Sequence, residues 1–253
     1  MKWLRRILTV VFTVLLLFSA YKIYEYVREA RESEASVETL IEKAVEERTP
    51  KEPDRQPETG EPAIETAPIT VDFEVLQAEC PDIVAWLYCP GTVINYPVVQ
   101  GEDNDYYLRR LTDGSYNAAG TLFLDYRCAG DFTGWNNVVY GHNMKNDSMF
   151  GILPEYGSQA YYDAHPVWYL LTPGQNYRVE LAAGFVTSAD SEFYSVPQNQ
   201  EEQAALLQSA LEQSDFAAGI ALGEEERIVL FSTCSYEYDS ARYVLMGLLR
   251  EIG

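Results

Sequence analysis

The chain has 253 residues, 47% of them hydrophobic, and a formal charge of −21. That much apolar material supports a real core and excludes wholesale disorder. The charge excludes a nucleic-acid partner, because a phosphate binder needs a basic surface to release counterions. From residue 69 onward 8 basic residues stand against 26 acidic ones, so the compact part repels anionic surfaces and tolerates amine-bearing partners.

The first 24 residues reverse the sign, with four basic and no acidic side chains. "MKWLRRILTVVFTVLLLFSAYKIYEY" opens on Lys2, Arg5 and Arg6 and then runs uncharged from Ile7 to Tyr21. About twenty residues cross a bilayer. Ile7–Tyr26 supplies them, with Lys22 snorkelling at the far end beside tyrosines. A cleaved secretory signal wants small residues at −3 and −1. Cutting after Ala20 puts Phe18 at −3, and cutting after Ser19 puts Leu17 there. The segment is therefore expected to be an uncleaved signal anchor. The positive-inside rule puts its N-terminus in the cytoplasm and residues 27–253 outside.

Beyond the anchor, Val37, Leu40, Ile41, Ala44 and Val45 fall on one stripe of an amphipathic helix whose other faces are charged. Barely two turns of stripe favour a solvated stalk helix over a coiled coil. "TPKEPDRQPETGEPAIETAP", Thr49 to Pro68, is a proline-rich, semi-extended spacer. Three parts are expected: residues 1–26 as cytoplasmic tip and membrane anchor, 27–68 as acidic stalk, and 69–253 as the folded domain.

Within that domain Asp72–Ala78 reads as a short helix with Asp72 as its cap. Eight short β-like runs follow: Ile83–Leu87, Val93–Val99, Gly120–Leu124, Asn137–Tyr140, Val167–Leu171, Tyr177–Val186, Arg227–Ser232 and Arg242–Leu249. Turn signals such as "CPGT" and "TPGQN" separate them. Helical patterns interrupt at Ser148–Tyr156 and at Asn199–Phe216, the latter with Ala204, Leu207, Ala210 and Leu211 on one face. Many short strands with a few inserted helices indicate a mainly β barrel or sandwich.

Two histidines narrow the search for chemistry. His142 emerges where an apolar strand ends, after Gly141, whereas His165 precedes a proline and reads as a loop residue. Neither HxxxH nor CxxC spacing is present, so no metal is expected, and "GxSxG" is absent. Of Cys80, Cys89, Cys128 and Cys234, the first three read as reduced thiols or as material for a Cys80–Cys89 bridge; the sequence leaves both open. Cys234 is different. It ends an apolar strand, and Arg242 opens the next, so the two face each other across the neck of a hairpin. A cysteine nucleophile needs an imidazole to generate thiolate. It also needs a donor for the oxyanion that forms when a carbonyl is attacked, and an arginine remains charged at any relevant pH.

The sequence resembles the class B sortases, membrane-anchored cysteine transpeptidases of Gram-positive bacteria. The matching stretches are "TLFLDYR" (Thr121–Arg127), "YGHNMKNDSMFG" (Tyr140–Gly151), "FSTC" (Phe231–Cys234) and "ARYVLMG" (Ala241–Gly247), with "QGEDNDYYLRR" (Gln100–Arg110) ahead of them. The resemblance covers roughly residues 70–253, and the helix at Asn199–Phe216 is similar to the extra helix of class B. Phe231 stands where a leucine is frequent, which leaves the chemistry untouched. The resemblance implies a closed eight-stranded β-barrel carrying His142, Cys234 and Arg242 as the catalytic trio. Cys234 would attack the carbonyl after the threonine of a sorting signal on a secreted protein, with motifs resembling NPxTx or SPxTx. The acceptor would be an amine of a peptidoglycan precursor or a pilin. Asn104, Leu108, Tyr140 and Ser232 would line the peptide groove, against plainer readings in which Tyr140 and Leu108 are core and Ser232 points into the barrel. No cofactor and no calcium site are implied.

Two other readings compete: a thiol peptidase that lets water resolve the thioester, and a non-catalytic wall-facing binding module. A methanethiosulfonate probe followed by mass mapping separates an enzyme from a module. The enzyme readings predict labelling at Cys234; labelling confined to the other cysteines would favour the module.

Overall fold

The computed structural model describes residues 2–48, 65–223 and 225–253. Helix α1, Lys2–Ala44, is unbroken over 43 residues. No proline or glycine lies within it, so nothing interrupts the helix between anchor and stalk. At about 1.5 Å per residue it is a rod of about 65 Å. Its N-terminal half is exposed and apolar enough to cross a membrane. The stripe on its C-terminal half is not solvated, contrary to the stalk expected from the sequence. Leu40 and Ala44 are buried, and Ile41 and Val45 pack with them against the domain. The apolar stripe found a sheet face to cover, which is where most helical stability comes from. The proline-rich spacer expected over 49–68 lies outside the described residues up to 64.

Strand β1 (Val45–Glu47) continues from α1 and pairs antiparallel with β2 (Ile69–Val71). Helix α2 (Phe73–Glu79) follows, with the Asp72 side chain accepting from Val75 N–H at 3.1 Å as its N-cap. The barrel then comprises β3 (Ile83–Tyr88), β4 (Asn95–Val99), β5 (Leu122–Leu124), β6 (Asn136–Tyr140), β7 (Val167–Leu171), β8 (Asn176–Ser188), β9 (Ile228–Cys234) and β10 (Ala241–Ile252). All eight expected runs are strands, and they close in the order β10-β8-β7-β3-β4-β5-β6-β9. Two neighbouring pairs, β4–β5 and β6–β9, are parallel.

Helix α3, Gln159–Ala164, is an element the sequence pattern did not reveal. The helical pattern expected at Ser148–Tyr156 is instead a turn followed by a 3₁₀ segment, Leu153–Gly157. Asp147 and Met149 hold positive φ there, which a helix does not accommodate. Helix α4, Gln200–Gln213, is capped by Asn199, which accepts from Glu202 N–H at 2.9 Å, while the Glu202 carboxylate reaches back to Gln198 N–H. Its buried stripe is Gln203, Leu206, Leu207 and Ala210; Ala204, expected on that face, is exposed.

Three apolar clusters locate the site. One fills the barrel lumen and draws on every strand, including Val139, Val229, Phe231 and Leu245. A second packs α4 against the outer faces of β6, β8, β9 and β10 through Val138, Ile228, Leu230 and Val244. The third packs α1 and α2 against Ile83, Trp86, Tyr107 and Phe123. Side chains alternate along a strand, so Tyr140, Ser232, Cys234 and Arg242 share the outer face with Val138, Leu230 and Val244. Between the two helical covers, a strip of that outer face is left open.

Gly120 anchors the loop leading into β5, with φ +60° and no room for a side chain: a Cβ would lie 2.6 Å from the carbonyl oxygens of both Tyr107 and Leu108. Gly120→Ala is expected to lower stability by about 2 kcal/mol or more, from left-handed backbone plus overlap. Chemical denaturation checks this.

Candidate active site

The open strip is a cleft of about 620 Å³. Asn104, Leu108, Tyr140, His142, Ser232, Cys234 and Arg242 all line it. Strand pairing brings the last members together. Parallel β6 and β9 align Tyr140 with Ser232, so His142 and Cys234 each lie two residues beyond the same rung. Antiparallel β10 sets Arg242 directly opposite Cys234. Side-chain bonds carry the β6–β9 junction past the strand end. Gly141 N–H donates to Ser232 O at 3.1 Å, Thr233 Oγ1 to Gly141 O at 2.8 Å, and Asn143 Nδ2 to Cys234 O at 2.8 Å. Gly141 permits this approach, since a Cβ there would overlap Leu122 and Phe150.

The His142 Nε2 lies 2.7 Å from the Leu108 carbonyl. A carbonyl only accepts, so Nε2 carries the proton and Nδ1 is the free acceptor of the neutral ring. Burial holds the imidazole below its ordinary pKa, and the charge of Arg109 adds to that; the Leu108 bond opposes it. The ring is therefore neutral near pH 7 and can take a proton. Cys234 is partly exposed. One guanidinium nitrogen of Arg242 donates to Ala241 O at 3.0 Å. Among the described residues no carboxylate pairs with Arg242, so its charge is directed to the cleft.

A second group organises the floor, and the sequence reading missed it. Asp125 is fully buried. It accepts from Asn104 Nδ2 at 3.0 Å, Tyr140 OH at 3.0 Å, and a two-pronged Arg127 fork at 2.9 and 2.7 Å. Burial alone would raise its pKa, but the Arg127 fork and backbone N–H, with Tyr140 and Asn104, outweigh burial and hold it below the usual carboxylate range. Burial, together with Asp125, pushes the Tyr140 phenol up, so it stays a donor. Arg127 also donates to Tyr194 O at 3.2 Å. Tyr194 stacks on Tyr140 and shares a 2.8 Å bond with Ser232 Oγ, and burial pushes its phenol up to about 12. Ser232 thus faces the cleft, not the lumen. The Asp125–Arg127 pair lay inside "TLFLDYR" without a local signal to single it out, and Tyr194 arrives from the distant connection between β8 and α4.

His165 caps α3 and stacks on Tyr161, 4.9 Å between ring centroids, away from the cleft. Cys80, Cys89 and Cys128 are buried free thiols, so the Cys80–Cys89 bridge is not formed; burial pushes the Cys89 thiol up to about 11. Among the described residues no three His, Cys, Asp or Glu side chains cluster as a metal site.

No family model matches the chain. Over 173 residues it is 36% identical to Sortase B of Listeria monocytogenes, covering 66% of this chain and 70% of that protein. The chain belongs to the sortase B family. Its fold superimposes on the Staphylococcus aureus sortase B–substrate complex with a TM-score of 0.68, at 25% identity over 72% of this chain and 85% of that one. Sortase B from Bacillus anthracis in complex with AAEK1 gives a TM-score of 0.72, at 26% identity over 90% of this chain and 99% of that one. As a sortase, the protein is a cysteine transpeptidase.

Asp125→Asn is expected to cost about 1.5–3 kcal/mol at neutral pH by weakening the charged hydrogen bonds. The folded pKa is depressed, so this contribution is complete above about pH 4–5 and is lost as pH falls through the folded value. Denaturation of wild type and variant should converge in acid.

Proposed function

We propose that this sortase cleaves a C-terminal sorting signal after threonine and passes the acyl group to an amine of the cell-wall precursor or of a pilin. Cys234 is the nucleophile, His142 the proton carrier and Arg242 the oxyanion donor. The Cys234 thiol gives its proton to His142 Nδ1, and the thiolate attacks the threonine carbonyl carbon. The negative oxygen of the tetrahedral intermediate meets the Arg242 guanidinium, whose planar fork suits an oxygen partner. Collapse breaks the C–N bond, the leaving amine takes the proton from His142, and a thioester remains. The acceptor amine then attacks the thioester, His142 takes the amine's proton, and that proton returns to the cysteine sulfur.

The observation that carries this reading is the shared strand register of His142, Cys234 and Arg242 at one end of the cleft. The compared staphylococcal enzyme was crystallised with a substrate, and a further sortase B, 25% identical with a TM-score of 0.68, with triglycine. An extended peptide in the cleft and an amine acceptor fit both. Asn104, Leu108, Tyr140 and Ser232 form the peptide-binding walls. The strongly acidic domain suits an amine acceptor. Residues 1–26 anchor the protein with the N-terminus in the cytoplasm, residues 27–68 connect, and 69–253 act outside the membrane.

A fluorogenic sorting peptide tests the assignment. Cys234→Ala is expected to abolish cleavage with the fold intact, and residual turnover would remove Cys234 as nucleophile. Arg242→Lys should lose about 10²–10³ in kcat, the scale of an oxyanion donor; near-normal kinetics would remove Arg242 from the reaction.

A further inference from the structure

The carbonyl that fixes His142 belongs to the 3₁₀ turn Tyr107–Arg109. What holds that turn is unusual for a domain on a membrane stalk: the other side of its loop rests on α1. Asn117 is fully buried in that loop. Its Nδ2 donates to the Glu29 carbonyl of α1 at 2.8 Å, and its Oδ1 accepts from Ala119 N–H at 2.9 Å. Its backbone N–H donates to Arg109 O at 3.1 Å, at the end of the turn itself. Thr121 closes the loop from the other strand end, donating to Tyr107 O at 3.1 Å and Arg110 O at 2.8 Å. A second contact is apolar and independent. Leu40 and Ala44 of α1 share one cluster with Tyr107, and Leu108 packs against that cluster. Ser33 is buried in the same seam, beside Leu111 and Gly120. Three layers are therefore stacked: α1, the 107–121 loop, and the imidazole.

We propose that Asn117 is a positioning residue for His142, and that the docked half of α1, Glu29 to Ala44, is thereby part of the catalytic scaffold. The amide ties the loop to α1, the loop holds the turn, and the Leu108 carbonyl holds Nε2–H so that Nδ1 faces the cleft. Because α1 is one helix from Lys2 onward, the rod that enters the membrane is the rod that braces the histidine. The assignment of a catalytic role to His142 rests on the function proposed above; the α1–loop contact does not.

The test uses the full chain in detergent micelles. Asn117→Asp keeps the acceptor for Ala119 N–H but loses the donor to Glu29 O. It is expected to lower kcat about tenfold, as misplacement of a reacting group does, with KM within about twofold. The second readout is the pH dependence of Cys234 modification by a methanethiosulfonate, which follows the imidazole without needing turnover. The charged groups around that ring are Arg109 on the turn and Arg127, Asp190 and Arg242 in the cleft. None of them changes in the variant. Loosening the loop lets water reach His142, so the acid limb should move up toward the ordinary imidazole value. Leu40→Ala, acting from the helix side, should move the limb the same way and answers the question if Asn117→Asp does not fold. Lys43→Gln, which breaks only the exposed 2.7 Å pair with Glu79, should leave kcat and limb unchanged. A wild-type limb in both Asn117→Asp and Leu40→Ala would overturn the proposal, as would an equal shift in Lys43→Gln. If the wild-type chain cleaves no sorting peptide, the proposed substrate fails, and the modification limb still decides the coupling.

Discussion

The parallel pairing of β6 with β9 is the constraint on which the site depends. Parallel neighbours in register end at the same edge of the sheet, so residues equally far beyond a shared rung emerge side by side. Tyr140 and Ser232 are that rung; His142 and Cys234 are the residues beyond it. Side chains alternate with a period of two, so a slip of one residue would send the thiol to the lumen and leave the imidazole outside. The bonds from Thr233, Gly141 and Asn143 across the junction extend the ladder beyond the strands, where slippage would otherwise begin.

The cleft exists because the barrel's outer face is covered twice and incompletely. Helix α4 covers one flank, and α1 with α2 cover the other. Tyr140 packs against both clusters and marks the gap between them. Charge is arranged by the same logic. Asp125 is removed from water and compensated by Arg127, Tyr140 and Asn104, so a buried carboxylate holds three cleft-lining side chains in fixed positions. Arg242, which has no such partner among the described residues, keeps its field for whatever enters.

Helix α1 changes how the anchor relates to the catalytic domain. A flexible stalk would leave the cleft free to tumble above the bilayer. A continuous helix with its last turns docked on the barrel sets height and orientation together. Two hydrogen bonds extend the docking beyond the helix, from Asp72 N–H to Ala44 O at 2.8 Å and from Arg48 N–H to Pro68 O at 2.9 Å.

Much of this protein was legible in the sequence, for physical reasons that differ by feature. The anchor, the eight strands and the caps Asp72 and Asn199 are written in local composition and periodicity, so reading a window at a time finds them. Cys234 and Arg242 form a hairpin neck, again a local relation. Gln203 taking the buried position expected for Ala204 shows the limit: the partner surface, not the stripe, decides which face of a helix turns inward. The amphipathic stripe at Val37–Val45 fixed a helix face but not its partner. The neighbours β6 and β9 are far apart in the chain, and no local pattern encodes that they pair in parallel. Asp125 becomes an organising group only when Asn104, Tyr140 and Arg127 converge on it. The sequence by itself determined the elements and the chemistry available at their ends. The tertiary structure decided which ends meet, because strand pairing and helix docking minimise free energy over contacts between residues that are neighbours only after folding.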